Sequence, residues 1–272
     1  MKRTVFFISD GTGITAEALG HSLLTQFEHI KFEHITIPYV NSEEKATAAI
    51  QHIQEIAVRD GERPLVFATL INPQIRQLIS QSNCLLLDFF NTFIGPIESE
   101  LHTKSSHRVG RTHAMTDHGS YTTRIDAVNY ALANDDGITT KNYDKADLIL
   151  IGVSRSGKTP TCLYLALQFG LFTANYPLTE DDLLHHLLPA SLKQHRAKLF
   201  GLTIDPKRLH AIRTERRPNS TYAALQQCQL EIQRAEALFL AERIPSINST
   251  TRSIEEIATT ILATTGVKRR LF

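Results

Sequence analysis

The segment Gly152-Val-Ser-Arg-Ser-Gly157-Lys158-Thr159 carries the most legible chemistry in this chain. It satisfies G-x-x-x-x-G-K-[ST] at every fixed position, follows the apolar run at residues 146–151 and opens a helical pattern, which is the setting the motif requires. Glycines let successive backbone amides turn toward one anion, and a helix start adds positive potential. Gly152, Val153, Ser154, Arg155, Ser156, Gly157, Lys158 and Thr159 are therefore expected to hold a di- or triphosphate. Lys158 would neutralise terminal phosphoryl oxygens, and the Thr159 hydroxyl would ligate Mg²⁺. The competing reading is a glycine-rich turn with an ordinary surface lysine; the pattern arises by chance, but rarely between a strand and a helix.

Such a site commonly takes a carboxylate from the end of a neighbouring strand, to hold the metal or accept a proton. Asp205 closes the apolar run 198–204 and is the expected residue, catalytic beside Lys158 and a metal ligand beside Thr159. An Asp-Pro turn at a strand end is its structural alternative. Arg208, Arg213, Arg216 and Arg217 follow, as guanidinium forks for a second phosphate or an acidic partner surface, or as a solvated helix face.

Near the start, Gly11-Thr12-Gly13-Ile14-Thr15-Ala16 has the outline of a dinucleotide fingerprint. Asp10, directly before it, would repel a pyrophosphate, and the only acid on the next strand, Glu33, lies near that strand's beginning. A tight turn, with Ser9, Asp10 and Thr12 facing substrate or the other domain, is the more economical expectation. His102, His107, His113 and His118 stand five or six residues apart, which matches no metal-ligand pattern. Cys84, Cys162 and Cys228 are scattered without C-x-x-C spacing, so neither a thiolate zinc site nor a disulfide framework is expected.

These residues need elements to position them. Residues 4–9, 32–37, 65–70 and 84–89 read as strands, separated by helical patterns. Ile14, Ala18, Leu23, Leu24 and Phe27 mark the first helix; Ala46, Ala49, Ile50, Ile53 and Ala57 mark a second that Asn41 would cap; Asn72-Pro73 starts a third. Between residues 91 and 121 the periodicity fails and the segment reads as a connection. A helix with Ile125, Val128 and Leu132 then leads into Asn134-Asp135-Asp136-Gly137, a turn by composition. Residues 146–153 and 198–204 read as further strands and 158–169 as a helix. Leu225, Cys228, Ile232, Ala235 and Phe239 form a core-facing helical stripe, and 253–262 a last helix. The fold class is α/β: an N-terminal parallel-sheet domain (1–95), a connecting region (96–140) and a P-loop kinase-like α/β domain that binds nucleotide (141–272).

Composition agrees with a globular chain: 272 residues, 42% hydrophobic and 21% charged. A net charge of +1 supplies no long-range field to gather nucleic acid or an anionic membrane, so phosphate binding must be local. No apolar run approaches the ~18–20 residues of a membrane span, and the start is too short in apolar core for a signal peptide, so a cytoplasmic location is expected.

The chain resembles the phosphoenolpyruvate synthase regulatory protein family, relatives of the plant pyruvate, phosphate dikinase regulatory protein. The resemblance rests on residues 5–12, 63–67, 124–125, 131–138, 152–161, 174–177, 199–206, 215–217, 247–250 and 255–258, and so covers nearly the whole chain. Position 156, Ser here, is often Cys in bacterial relatives. The resemblance implies a bifunctional enzyme. One activity is an ADP-dependent serine/threonine kinase that inactivates phosphoenolpyruvate synthase at a threonine beside its catalytic histidine, acting on the phosphohistidine form. The other removes that phosphate with inorganic phosphate as acceptor and releases pyrophosphate. On this expectation ADP, Mg²⁺, phosphate and pyrophosphate meet at one nest, and Asp205 exchanges the threonine proton, with Asp10, Asp126, Asp135 and Asp136 as rivals for that role. The same chemistry on pyruvate, phosphate dikinase, a small-metabolite kinase and a non-enzymatic nucleotide-sensing adaptor are the alternatives. A homodimer is left open.

Overall fold

The computed structural model describes residues 2–106, 118–137, 139–184 and 187–271. The chain forms two compact units, Met1–Ala114 and Met115–Phe272. Each is an α/β layer structure around one four-stranded parallel sheet.

In the first unit the order is β1 (Lys2–Ser9), α1 (Ile14–Leu24), β2 (Lys31–Ile37), α2 (Glu43–Asp60), β3 (Leu65–Thr69), α3 (Pro73–Ser80), β4 (Leu85–Asp88) and α4 (Phe89–Leu101). The strands lie in the order β2-β1-β3-β4. Val5, Phe6, Phe7 and Ile8 of β1 are all buried, because helices cover both faces of a parallel sheet and leave no side of a central strand to water. Asn72 caps α3 through its side chain, with Pro73 at the first helical position.

Three local expectations are corrected. Helix α1 buries Ala16, Gly20 and Leu24, whereas Ile14, Leu23 and Phe27 stay exposed. The helix must come close to the sheet: a Cβ at Gly20 would lie 2.5 Å from the Phe7 ring and 2.8 Å from the Phe67 ring, so small residues face inward. Helix α2 is capped by Ser42, not Asn41, whose side chain takes the Lys45 ammonium instead. The segment after residue 90 is helical: Asp88 caps α4 by accepting from the Asn91 amide at 3.1 Å. Its pattern is unreadable because only Phe89 is fully buried and Gly95-Pro96 interrupts the middle. His107 and His113 of the presumed connection lie outside the described residues.

The second unit runs α5 (His118–Ala133), β5 (Leu148–Gly152), α6 (Lys158–Phe169), β6 (Thr173–Pro177), α7 (Glu180–Leu184), α8 (Ala190–Lys193), β7 (Leu199–Thr203), α9 (Pro206–Arg216), α10 (Leu225–Ala241), β8 (Ser246–Asn248) and α11 (Ile254–Thr265). Its order β6-β5-β7-β8 repeats the first unit's pattern, with the leading strand in second place. Cys228, Ile232, Ala235 and Phe239 of α10 are buried in a core shared with β5 and β7, and Gly201 on β7 leaves room for the Phe239 ring. Helix α11 starts with a capping box of Ser253 and Glu256. Helix α5 meets α6 through Ala127, Ala131 and Ala166, while Ile125 and Leu132 are exposed. Strands β6 and β8 are short and rich in Thr, Asn and Ser, so no apolar run announces them. Among the described residues no helix is long and apolar enough to cross a membrane.

Candidate functional site

Chain direction reverses across β5: the path leaves it for β6 on one side, then returns past it to β7 on the other. In open parallel sheets this switch point, at the carboxyl ends of the strands, leaves a crevice. The turn 152–157 sits there, between β5 and α6. Gly152 is required by space, since a Cβ would fall 2.3 Å from the Leu202 carbonyl oxygen of β7. Gly157 is required by backbone, with φ of +92° and nothing near its Cβ position. Arg155 also adopts positive φ, +74°, a backbone conformation found in turns whose successive amides can face one anion. Thr161 N bonds back to Gly157 O, and the amides of Gly157, Lys158 and Thr159 have no protein acceptor among the described residues, as expected for a helix start.

Lys158 is 4% exposed, and its Nζ donates to Val153 O at 2.9 Å. Burial pushes its ammonium down to about 8, against the opposing pull of the Asp136 and Asp135 carboxylates. Thr159 Oγ1 donates to Asp135 Oδ1 at 2.8 Å, and Asn175 Nδ2 donates to the same oxygen. Asn175, on β6, staples the whole Asp135-Asp136 turn. Its side-chain oxygen accepts from Asp136 N at 3.0 Å, its carbonyl accepts from Gly137 N at 3.0 Å, and its amide donates to Asn134 O at 3.2 Å. A cavity of about 290 Å³ is lined by the turn with Lys158 and Thr159, by Asp136, and by Ile212 and Arg216 of α9.

The structure thus gathers Ser154, Arg155, Gly157, Lys158 and Thr159 on one cavity, with Gly152, Val153 and Ser156 buried beneath it. Asp205 is placed elsewhere. It caps α9, its Oδ1 accepting from Lys207 N at 2.9 Å and Arg208 N at 3.0 Å, and it does not line the cavity. The carboxylates that reach the turn are instead those of Asp135 and Asp136, two of the named rivals to Asp205, in the segment read from composition as a turn. The available signal was a pair of acids directly after a helix; Asn175, the residue that docks them, carried none. Of the four arginines, Arg216 lines the cavity, Arg213 is wholly buried, and Arg208 and Arg217 are exposed.

The N-terminal glycine turn is occupied with its own fold. Asp10 is buried and its Oδ2 accepts from Ile71 N at 2.6 Å; burial pushes its carboxyl up. Ser9 Oγ is paired with Thr69 and the Gly11 amide, whereas Thr12 is exposed. The cysteines are free, and no group of three or more His, Cys, Asp or Glu is arranged as a metal site among the described residues.

Fold and site together define an α/β protein with a glycine-lysine-threonine turn at a sheet switch point and two carboxylates set against it. The chain belongs to the kinase/pyrophosphorylase family, whose model matches residues 5–262. Similar proteins named for the regulation of phosphoenolpyruvate synthase occur in Marinobacter nauticus (58% identical, 99% of each chain), Hahella chejuensis (55%, 100% of each) and Legionella pneumophila (56%, 100% of each).

Proposed function

We propose that this protein regulates phosphoenolpyruvate synthase by two opposed phosphoryl transfers at one site: ADP-dependent phosphorylation of a target threonine, and phosphate-dependent removal that forms pyrophosphate. The observation that carries this reading is the convergence of Lys158, the Thr159–Asp135 pair and Asp136 on one cavity at the anion turn. The names of the full-length relatives supply the target. In the kinase direction the threonine Oγ attacks the β-phosphorus of ADP, the bond to the α-phosphate breaks, and AMP leaves. Asp136, on the cavity, accepts the threonine proton, a role first expected of Asp205. In the other direction inorganic phosphate attacks phosphothreonine, threonine leaves with the proton returned by Asp136, and pyrophosphate occupies the nest. Lys158 and the turn amides offset charge in both directions, because phosphoryl transfer is promoted chiefly by positioning and electrostatic stabilisation.

Thr159 and Asp135 present adjacent hard oxygens, which suit Mg²⁺ held by one or two protein groups and the substrate phosphates. When bound there, the ion would neutralise charge on the transferring phosphoryl group. Arg155 and Arg216, on the rim, suit the anionic face of an incoming phosphoprotein, in keeping with the phosphohistidine form as kinase substrate. The test is purified synthase with β-labelled ADP, followed by phosphate and detection of labelled pyrophosphate. Lys158→Ala is expected to abolish both transfers; phosphorolysis that survived intact would refute the shared site.

A further inference from the structure

An anion nest works only if its carbonyl oxygens stay out of it, since a carbonyl facing a phosphate opposes the amides that bind it. Three carbonyls of this turn are each engaged. Lys158 takes that of Val153, as described. Arg213 Nη2 donates to Ser154 O at 3.2 Å, and Ser249 Oγ donates to Ser156 O at 3.0 Å.

Arg213 is the unusual member. It is 0% exposed, and an unpaired guanidinium in that position would be strongly destabilising. Its Nη2 also pairs with Glu231 Oε2 of α10 at 2.6 Å, its Nη1 donates to Tyr222 O at 3.0 Å, and its Cζ lies 4.1 Å from the centre of the Tyr222 ring. That same tyrosine's hydroxyl is 3.0 Å from Ser154 Oγ. Because Arg213 is wholly interior, the Ser154 carbonyl it holds is directed into the protein and away from the open cavity. Ser249 follows β8 and approaches from a separate element; its amide donates to Thr203 O at 2.9 Å, and its hydroxyl also lies 3.1 Å from that oxygen. The two anchors therefore share the turn, and neither touches the other.

We propose that Arg213, braced by Glu231 and Tyr222, and Ser249 are positioning residues that hold the carbonyls of residues 154 and 156 away from the nest, leaving the amides of the turn free to bind phosphate. The inference rests on reading the turn as a phosphate site. A purely architectural role for Arg213, tying α9 to α10, would lower the midpoint of Arg213→Lys without changing exchange at the turn.

The experiment uses the full chain and the variants Ser249→Ala, Ser249→Thr, Tyr222→Phe and Arg213→Lys. Three quantities are read: exchange of the Ser156 and Thr161 amides, which are bonded to Val153 O and Gly157 O, without ligand; affinity for ADP and for inorganic pyrophosphate; and the thermal midpoint. Loss of the Ser249 hydroxyl is expected to speed exchange at the turn and weaken both anions about tenfold, the size of one hydrogen bond, with the midpoint falling by only about 2–4 °C. Ser249→Thr, which keeps the hydroxyl, should stay near wild type, and Arg213→Lys, which loses the fork, should loosen the turn and weaken both anions as Ser249→Ala does, at a clearly lower midpoint. Unchanged turn exchange in Ser249→Ala, or equal losses in the Ala and Thr variants, would overturn the clasp. If Arg213→Lys fails to fold, the Ser249 pair carries the decision; Tyr222→Phe keeps the carbonyl and ring that brace Arg213 and should stay near wild type. Should wild type bind pyrophosphate but no ADP, while Ser249→Ala still loosens the turn and weakens pyrophosphate, the ADP-dependent reading falls and the clasp stands.

Discussion

On the proposed function, Lys158 should make ADP binding a proton-coupled event above neutral pH. Its ammonium is buried, bonded to Val153 O, and titrates at about 8, against 10.5 for a free lysine. An anion at the turn favours the charged form, so binding draws the protonated state from the equilibrium. At pH 9 only about one protein molecule in ten carries that proton, whereas at pH 7 about nine in ten do. Affinity should accordingly fall about tenfold from pH 7 to pH 9, and at pH 9 each ADP bound should take up about 0.9 proton. ADP is itself fully ionised there, so the proton is the protein's. Calorimetry in two buffers of different ionisation enthalpy reads this uptake directly, and Lys158→Arg, which stays charged, should abolish it. The linkage has a stability counterpart. The unfolded chain binds the Lys158 proton more tightly, so between pH 8 and 10.5 the folded state gains stability as pH rises, up to about 3 kcal/mol. Lys158→Met should lack that rise. A pH-independent ADP affinity with no proton uptake at pH 9 would refute the argument.

Three further outcomes follow from the geometry. Asp136→Asn should lower the turnover of both transfers by about a hundredfold with ADP affinity nearly unchanged, while Asp205→Asn, which still caps α9, should keep most activity; parallel assays of the two variants decide which acid moves the proton. Asn175→Ala releases the turn that carries Asp135 and Asp136, and should cost at least tenfold in turnover, read by steady-state kinetics alongside a circular dichroism spectrum like that of wild type. Gly20→Ala drives a methyl group into the Phe7 and Phe67 rings and should destabilise the first unit by about 1–3 kcal/mol, measured by urea unfolding, without altering ADP affinity.

What this sequence determined alone was whatever depends on neighbours in the chain. The turn at residues 152–159 is legible because strand, glycines, lysine and helix are consecutive, and the α10 stripe because a helix buries every third or fourth residue. The parallel sheets followed from alternating strands and helices. Local signals failed where a distant surface chose the inward face. Helix α1 buries Gly20 and leaves Leu19 and Leu23 exposed because two phenylalanine rings from β1 and β3 demand close approach. The acid at the anion turn was decided the same way. Asp205 and Asp136 are indistinguishable by residue type, but one carboxylate lies within reach of its own helix amides and is spent as a cap. The other is carried to the cavity by Asn175, a strand residue 39 positions away. Backbone hydrogen bonding between remote segments, which leaves no periodic trace in either, set that difference.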